Sequence, residues 1–176
     1  LALNKEQPRA WFFTFADVES ARRVLPEHSS YYQSLNGDWK FHWVGNPEER
    51  PTDFYKPEFD VTGWDDVTVP MQWNVVGIQK DGSLKYGVPI YANQPVIFQH
   101  KVAVGDWKGG VMRTPPTDWV TYKHRNEVGS YRRSFTIPAG WEGREVYINF
   151  DGVSSFFYLW INGHYVGFSK NSRNTA

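Results

Sequence analysis

The sequence predicts an all-β fold in which two sheets pack as a sandwich. Three observations carry this prediction. After Gly129 the chain passes through four short segments rich in β-branched and aromatic residues, separated by short turns. Asn162-Gly163 joins two of these segments, and this dipeptide between apolar runs is the strongest short hairpin signal, because a type I′ turn needs positive φ at both central residues. Almost no stretch has helical periodicity.

The first part of the chain, residues 1–34, is predicted to be an irregular N-terminal arm. Its segment DVESARRVL has room for about two turns of helix, with Asp17 as the N-cap and Glu19 in the first turn. Pro26 would end this helix, because proline cannot continue a helical hydrogen-bond ladder.

The middle of the chain contains two predicted strands and a long irregular stretch. The strands are Trp39 to Val44, which follows a turn at Asn36-Gly37, and the segment WDDVTVP, which Pro70 closes. Residues 45–66 are rich in proline and acidic residues, so we expect a loop there before the second strand. Residues 71–128 hold glycine, proline and scattered rings with little period. Such long loops are usually functional or disordered, and the high ring content argues against disorder.

Four strands are predicted after Gly129: SYRRSFTI, REVYINFDGV, SFFYLWING and HYVGFS. In the third of these, large apolar side chains occupy both sets of alternating positions, so both faces of the strand are apolar. These positions are Phe157, Leu159 and Ile161 on one face, and Phe156, Tyr158 and Trp160 on the other. One face must meet the core, and the other must meet a second layer, another domain or a ligand.

The composition excludes several classes of protein. Nineteen basic residues balance 19 acidic residues, so there is no electrostatic footprint for nucleic acid or for an anionic membrane. There is no cysteine, which excludes a disulfide framework, and no apolar run long enough for a membrane span. Aromatic residues make up 18% of the chain, with nine tryptophans. Such rings are typical of sugar-binding surfaces and also of β-sandwich cores.

No catalytic residue and no metal ligand can be assigned from the sequence alone. The five histidines are scattered without metal-ligand spacing, and none of the common nucleotide, hydrolase or metalloprotease motifs is present. Glycosidases need two carboxyl groups about 5–10 Å apart. The adjacent pairs Glu48-Glu49 and Asp65-Asp66 are the nearest candidates, and we interpret both as solvated loop residues.

Five segments in order, namely SLNGDWKFHW, VPMQWNVVGI, PIYANQ, GSYRRSFTI and FDGVSSFFYLWINGHYVGFSKNSR, resemble glycoside hydrolase family 2. The specific likeness is to the N-terminal sugar-binding domain of large bacterial β-galactosidases. The resemblance implies a jelly-roll β-sandwich, galactose-binding-domain-like, over residues 35–176. The family domain continues beyond this point into more strands, so we expect the sandwich here to be incomplete.

The resemblance also implies an activity for the parent enzyme. In the family this domain precedes Ig-like domains and a TIM barrel, and the barrel holds the two catalytic glutamates. The family reaction is retaining hydrolysis of terminal β-D-galactosides through a covalent galactosyl-enzyme. The parent enzyme is therefore expected to be a β-galactosidase, whereas the isolated chain is expected to be inactive.

Two substrate-binding residues follow from the resemblance by position. Asn93 in PIYANQ matches a family asparagine whose side chain hydrogen-bonds the galactose. Asn171 in SKNSR replaces a family aspartate that touches galactose and also ligates a monovalent cation. The family resemblance implies magnesium and sodium in the parent enzyme, and the exchange at Asn171 puts the sodium site in question. No cofactor is assigned to this chain by itself.

The implied partners are a β-galactoside sugar and the remaining domains of the parent enzyme, which is expected to form a homo-oligomer; no nucleic acid and no membrane span is expected. Two other functions remain open at this point. One is a stand-alone carbohydrate-binding module with the same fold, and the other is a structural domain that holds an oligomer together. The length of the parent protein separates the enzyme from the module.

Overall fold

The computed structural model describes residues 12–87, 127–170, 172 and 174–176. The chain divides into two compact units, of which the first combines residues up to Leu35 with Phe135–Val146, and the second combines Asn36–Ser134 with Tyr147–Ala176. The described residues are dominated by antiparallel strands, with little helix. This confirms the all-β prediction and fits a β-sandwich.

The first unit contains the predicted N-terminal helix in a shorter form. Helix α1 spans Val18–Arg22, and the Asp17 carboxylate accepts a hydrogen bond from the backbone N–H of Ser20 at 2.8 Å, which confirms Asp17 as the N-cap. The helix stops before Leu25 because Val24 adopts a left-handed backbone conformation, with φ of 66°. Pro26 starts a separate 3-10 turn, Pro26–His28.

Contacts between distant segments hold the rest of this unit together. The 3-10 turn Ala139–Trp141 places the Trp141 indole so that its Nε1 donates to the carbonyl of Ser30 at 2.9 Å. The Arg144 guanidinium lies 4.0 Å above the Tyr31 ring, which is a close cation–π contact. These side chains connect residues 139–144 to residues 30 and 31.

A three-stranded antiparallel sheet forms the centre of the second unit. Its strands are β1 Gly37–Val44, β2 Asp65–Val69 and β3 Val128–Arg132, in the order β2-β1-β3. In β1, Trp39 lies opposite Val67 of β2, and Phe41 lies opposite Tyr131 of β3. The strands predicted from SLNGDWKFHWV and WDDVTVP are therefore confirmed.

The core of this unit is built around Phe41, which is fully buried. Its ring lies 4.7 Å from the Tyr131 ring and 5.0 Å from Tyr86, and it stacks on Trp73 at 5.9 Å. Trp73 begins the short helix α2, Trp73–Val76, within the stretch whose residues show little hydrophobic periodicity. Val67 completes the cluster from β2.

The predicted hairpin is present with the predicted turn. Strands β4 Phe157–Ile161 and β5 His164–Ser169 pair antiparallel, and a bulge interrupts their register after Leu159. Asn162 has φ of 51° and Gly163 has φ of 83°. Positive φ at both central residues is what a type I′ turn requires.

Two of the four C-terminal strand predictions need correction. The segment REVYINFDGV contains no strand, although Phe150 exchanges two backbone hydrogen bonds of 2.9 Å with Ala176. SYRRSFTI is a strand only as far as Arg132. The Arg132 guanidinium donates to the carbonyls of Pro57 and Phe59 at 2.5 and 2.9 Å, and so ties the end of β3 to a neighbouring loop.

Candidate functional site

The two residues predicted to contact sugar, Asn93 and Asn171, lie outside the described residues. The structure does describe the chain on both sides of each. Asn93 belongs to the stretch between Gly87 and Glu127, and Asn171 follows the end of β5.

The chain leading towards Asn93 is fixed to strand β2 through Asp65. Lys85 Nζ donates to Asp65 Oδ1 at 2.5 Å, and the Tyr86 hydroxyl donates to Asp65 Oδ2 at 2.7 Å. Tyr86 is buried against Phe41, so its phenol ring joins the core while its hydroxyl reaches the carboxylate. One carboxylate therefore holds two consecutive residues just before the segment that carries Asn93.

The same three groups shift each other's proton affinity. Burial raises the pKa of the Asp65 carboxyl, but the hydrogen bonds from Lys85 and Tyr86 outweigh it, so that this pKa lies below its ordinary value. The hydrogen bond to Asp65 raises the pKa of Lys85. Burial, followed by the hydrogen bond to Asp65, raises the pKa of the Tyr86 phenol. At neutral pH the cluster is therefore an ion pair with a neutral phenol.

Gly87 and Glu127, which border the segment, lie against each other. A Cβ atom built on Gly87 would come within 2.7 Å of Glu127 Cδ, and Gly87 has φ of 74°, so only glycine suits this position. Glu127 Oε2 accepts a hydrogen bond of 3.3 Å from the Trp73 indole. The chain thus leaves the sheet region and returns to it at one place, beside the Phe41 core.

The chain on either side of Asn171 runs along the segment that precedes β4. Ser169 is paired with Phe157 at the end of the hairpin. Ser172 Oγ lies 3.4 Å from Ser154 Oγ, and Ala176 forms the two backbone hydrogen bonds with Phe150. Residues on both sides of Asn171 therefore contact the segment 150–157.

The adjacent carboxylates take part in local contacts rather than forming a catalytic pair. Glu48 and Glu49 belong to the exposed 3-10 turn Pro47–Glu49, and Glu49 accepts a hydrogen bond from Asn46 at 3.2 Å. Asp65 and Asp66 lie in strand β2, so their placement in a loop is wrong, whereas the Asp66 side chain is solvent-exposed as expected. Asp66 forms an ion pair with Lys40 at 2.8 Å.

Sequence reasoning missed the contacts of Asp65 because its partners lie about 20 residues further along the chain.

In the part of the chain that the structure describes, no three His, Asp or Glu side chains are placed to hold a metal ion together. None of the helices in the described ranges has the length and apolar character needed to cross a membrane.

Comparison with known proteins gives the family. Residues 32–176 match the model of the family described as glycosyl hydrolases family 2, sugar binding domain. The chain is 36% identical over 174 residues to a protein named β-galactosidase from Priestia megaterium, covering 99% of this chain and 15% of that protein. It is 36% identical over 175 residues to a β-galactosidase of Halalkalibacterium halodurans, again 99% of this chain and 15% of the relative.

A third relative has a different organisation. The β-galactosidase large subunit of Lactobacillus helveticus is 35% identical over 160 residues, which is 86% of this chain and 23% of that subunit. The chain thus spans between about a seventh and a quarter of the length of the relatives it matches. The match to the family model, residues 32–176, includes the strands of the second unit's sheet and hairpin. Together, the family match, the relatives and the antiparallel β-structure show that this chain belongs to the sugar-binding domain family of family 2 glycosyl hydrolases.

Proposed function

We propose that this chain is the substrate-binding N-terminal portion of a β-galactosidase, which performs retaining hydrolysis of terminal β-D-galactosides. The observation that carries the proposal is the extent of the similarity: relatives named β-galactosidase match 99% of the chain at 36% identity. In this proposal the two catalytic carboxyl groups belong to a barrel domain elsewhere in the full-length protein. This chain supplies polar groups that hold the sugar.

Asn93 and Asn171 are the residues proposed to contact galactose. An amide side chain offers one acceptor oxygen and two N–H donors, which suits a ligand with several neighbouring hydroxyl groups. The anchoring of the flanking residues supports this role. Lys85 and Tyr86 are held by Asp65 before Asn93, and Ser172 lies beside Ser154 after Asn171. Side chains on a fixed framework lose less conformational entropy when they bind.

The decisive test is hydrolysis of a chromogenic β-galactoside by the full-length protein and its Asn93→Ala variant. Loss of a hydrogen bond to substrate corresponds to about 0.5–1.5 kcal/mol, which is a reduction of kcat/KM by roughly twofold to tenfold. Asn46→Ala is the matched control, since Asn46 is an asparagine whose side chain contacts only the nearby Glu49 among the described residues. Full activity of Asn93→Ala would contradict the assigned contact.

Asn171 stands at the position where the family resemblance implies an aspartate that ligates a monovalent cation. A carboxylate is a better ligand than an amide oxygen for a hard cation. We therefore expect the activity of the full-length protein to depend little on sodium, and Asn171→Asp to increase this dependence. The measurement is kcat/KM in sodium and in a large organic cation. A wild type that loses most of its activity without sodium, together with an Asn171→Asp variant that behaves identically, would remove residue 171 from the cation site.

The alternative function is a stand-alone carbohydrate-binding module. It would bind the same sugars without hydrolysing them, and its gene would encode a chain not much longer than the fold itself. Absence of β-galactoside hydrolysis by the full-length protein, together with saturable galactoside binding, would favour this alternative.

A further inference from the structure

The β4–β5 hairpin carries a cluster of rings, three of which line one cleft. Trp160 of β4 lies opposite Tyr165 of β5, with ring centroids 5.7 Å apart. The Tyr158 ring lies 5.7 Å from Trp160 and 6.3 Å from Tyr165. Tyr158 is 48% exposed and Tyr165 is 55% exposed. We call these three residues the aromatic platform.

The platform forms one wall of a cleft. The cleft has a volume of about 280 Å³, and its other wall is the loop segment Arg50, Pro51, Thr52 and Phe54. This volume lies just below the range of about 300–1,000 Å³ that is usual for pockets of drug-sized ligands. The space therefore suits a ligand of about the size of one sugar ring.

Two rings of the neighbouring loop fix the orientation of Trp160, and one of them, Phe54, also lines the cleft. Tyr55 stacks on the Trp160 ring at 5.7 Å with an interplanar angle of 15°, and the Phe54 ring meets it edge-on at 5.5 Å. These contacts hold the indole in place before any ligand arrives. A platform that is already rigid loses little conformational entropy when it binds a ligand.

The rim of the cleft carries polar groups that are available to a ligand. One N–H of the Arg50 guanidinium donates to the carbonyl of Pro47. Within the described residues, no further hydrogen bond or ion pair of Arg50 is formed, and the same holds for the hydroxyl groups of Thr52, Tyr158 and Tyr165. The cleft thus combines ring faces with the remaining N–H groups of a guanidinium and with three hydroxyl groups that have no partner among the described residues.

We propose that this cleft binds the ring of a neutral pyranoside. A pyranose with equatorial hydroxyl groups presents an apolar C–H face that packs on aromatic rings, while its hydroxyl groups point outwards to the polar rim. The chemistry of the cleft matches both parts of such a ligand. This inference does not depend on any role of Asn93 or Asn171.

Two other ligand classes fit the cleft less well. Nucleic-acid bases also stack on rings, but nucleic-acid sites carry several lysines and arginines for the phosphates, whereas Arg50 is the one basic residue among the described residues that line this cleft. A second protein domain would need a larger and flatter surface, because stable protein interfaces bury about 800 Å² on each partner. The small concave site with a polar rim favours the sugar.

The test is a calorimetric titration of the full-length protein with methyl β-D-glucopyranoside. All ring hydroxyl groups of this probe are equatorial, so both of its faces are apolar, and as a glucoside it is not the substrate of the proposed galactosidase. We expect saturable binding by the wild type and roughly twofold to tenfold weaker binding by Tyr165→Ala, which corresponds to about 0.5–1.5 kcal/mol for a lost ring contact. Arg50→Ala, which removes the guanidinium without touching the platform, should also weaken binding.

Tyr147→Ala is the control, because Tyr147 is an exposed tyrosine, at 71%, that does not line the cleft. Its affinity for the probe should equal that of the wild type. Absence of saturable binding by the wild type would overturn the proposal, and so would unchanged affinity in both Tyr165→Ala and Arg50→Ala. An absence of binding combined with a lower melting temperature of Tyr165→Ala would assign the cleft instead to packing against another part of the protein.

Discussion

Gly163 illustrates how much a single residue decides in this structure. Its φ of 83° lies in the left-handed region, and a Cβ atom at this position would come within 3.1 Å of Pro57 Cδ. Gly163→Val therefore combines backbone strain with a close contact, and we expect it to reduce the free energy of unfolding by about 1–3 kcal/mol. A urea denaturation curve of wild type and variant measures this difference.

Gly167 provides the control for that substitution. It lies in the same hairpin, in strand β5, its φ is not positive, and a Cβ atom there would meet nothing within 4 Å. Valine is favoured in strands, so Gly167→Val should leave stability unchanged or increase it slightly. Equal denaturation midpoints for the wild type and Gly163→Val would show that the turn does not require glycine.

Asp65 makes stability depend on pH through a single carboxylate. Its pKa is lowered in the folded protein, because the hydrogen bonds from Lys85 and Tyr86 outweigh the effect of burial. A group with a lowered folded pKa stabilises the protein above its unfolded value, about 3.9, and this contribution is lost as the pH falls through the folded value. We therefore expect the contribution of Asp65 to be complete at neutral pH and to disappear below about pH 4.

Asp65→Asn should remove this part of the acid sensitivity. At neutral pH the variant should lose about 1 kcal/mol, a modest figure because the Lys85 and Asp65 side chains are 47% and 37% exposed and solvent screens the pair. The measurement is the melting temperature between pH 3 and pH 7. Asp66→Asn is the control, since Asp66 is more exposed and pairs only with Lys40 among the described residues. A parallel pH dependence of Asp65→Asn and wild type would contradict the argument.

Among the secondary-structure elements, the contact between Gly87 and Glu127 joins the two residues that border the segment between helix α2 and strand β3. Gly87→Ala would push a methyl group into the Glu127 carboxylate and strain a left-handed backbone. We expect a loss of about 1–3 kcal/mol in the free energy of unfolding. Gly82→Ala separates the two causes, because Gly82 has a similar φ of 82° with nothing within 4 Å of its Cβ position.

The two variants separate backbone strain from the contact with Glu127. Gly82→Ala reports the backbone strain alone, and the additional loss in Gly87→Ala reports the contact with Glu127. Thermal denaturation of both variants supplies the two values. If Gly82→Ala and Gly87→Ala lose the same amount of stability, the contact between the two ends of the segment contributes nothing.

The elements that were predictable from sequence are those whose signals are local. The turn at Asn162-Gly163 and the cap at Asp17 each depend on residues within three or four positions, and both are present. The segment REVYINFDGV has strand composition but forms no strand in the structure, because a strand also requires a partner strand along its length, and the backbone pairing with Ala176 is confined to Phe150.

The candidate site was predictable only through the family resemblance. Nothing in the local pattern distinguishes Asn93 or Asn171 from ordinary turn asparagines. The anchor formed by Asp65, Lys85 and Tyr86 was missed for a different reason, namely that long-range hydrogen bonds leave no periodic trace in a sequence. Its carboxylate was interpreted as a solvated loop residue, whereas it lies in β2.

For the whole molecule, we expect the isolated chain to have no glycosidase activity. Glycoside hydrolysis requires two carboxyl groups on either side of the scissile bond. Among residues 12–87 and 127–170, the adjacent acidic pairs make surface contacts with Asn46, Lys40 and Lys85. The measurement is release of a chromophore from a β-galactoside by purified chain, free of host enzyme. Turnover above background would contradict this expectation.

The meeting of Gly87 and Glu127 has a consequence for how such domains diversify. Since the chain departs and returns at one point beside the Phe41 core, the 39 positions between them form an insertion with closed ends. A change in the length or sequence of this insertion need not shift any strand of the sheet. Substrate preference, which Asn93 is proposed to influence from within the insertion, can then evolve independently of the stability of the sheet that carries it.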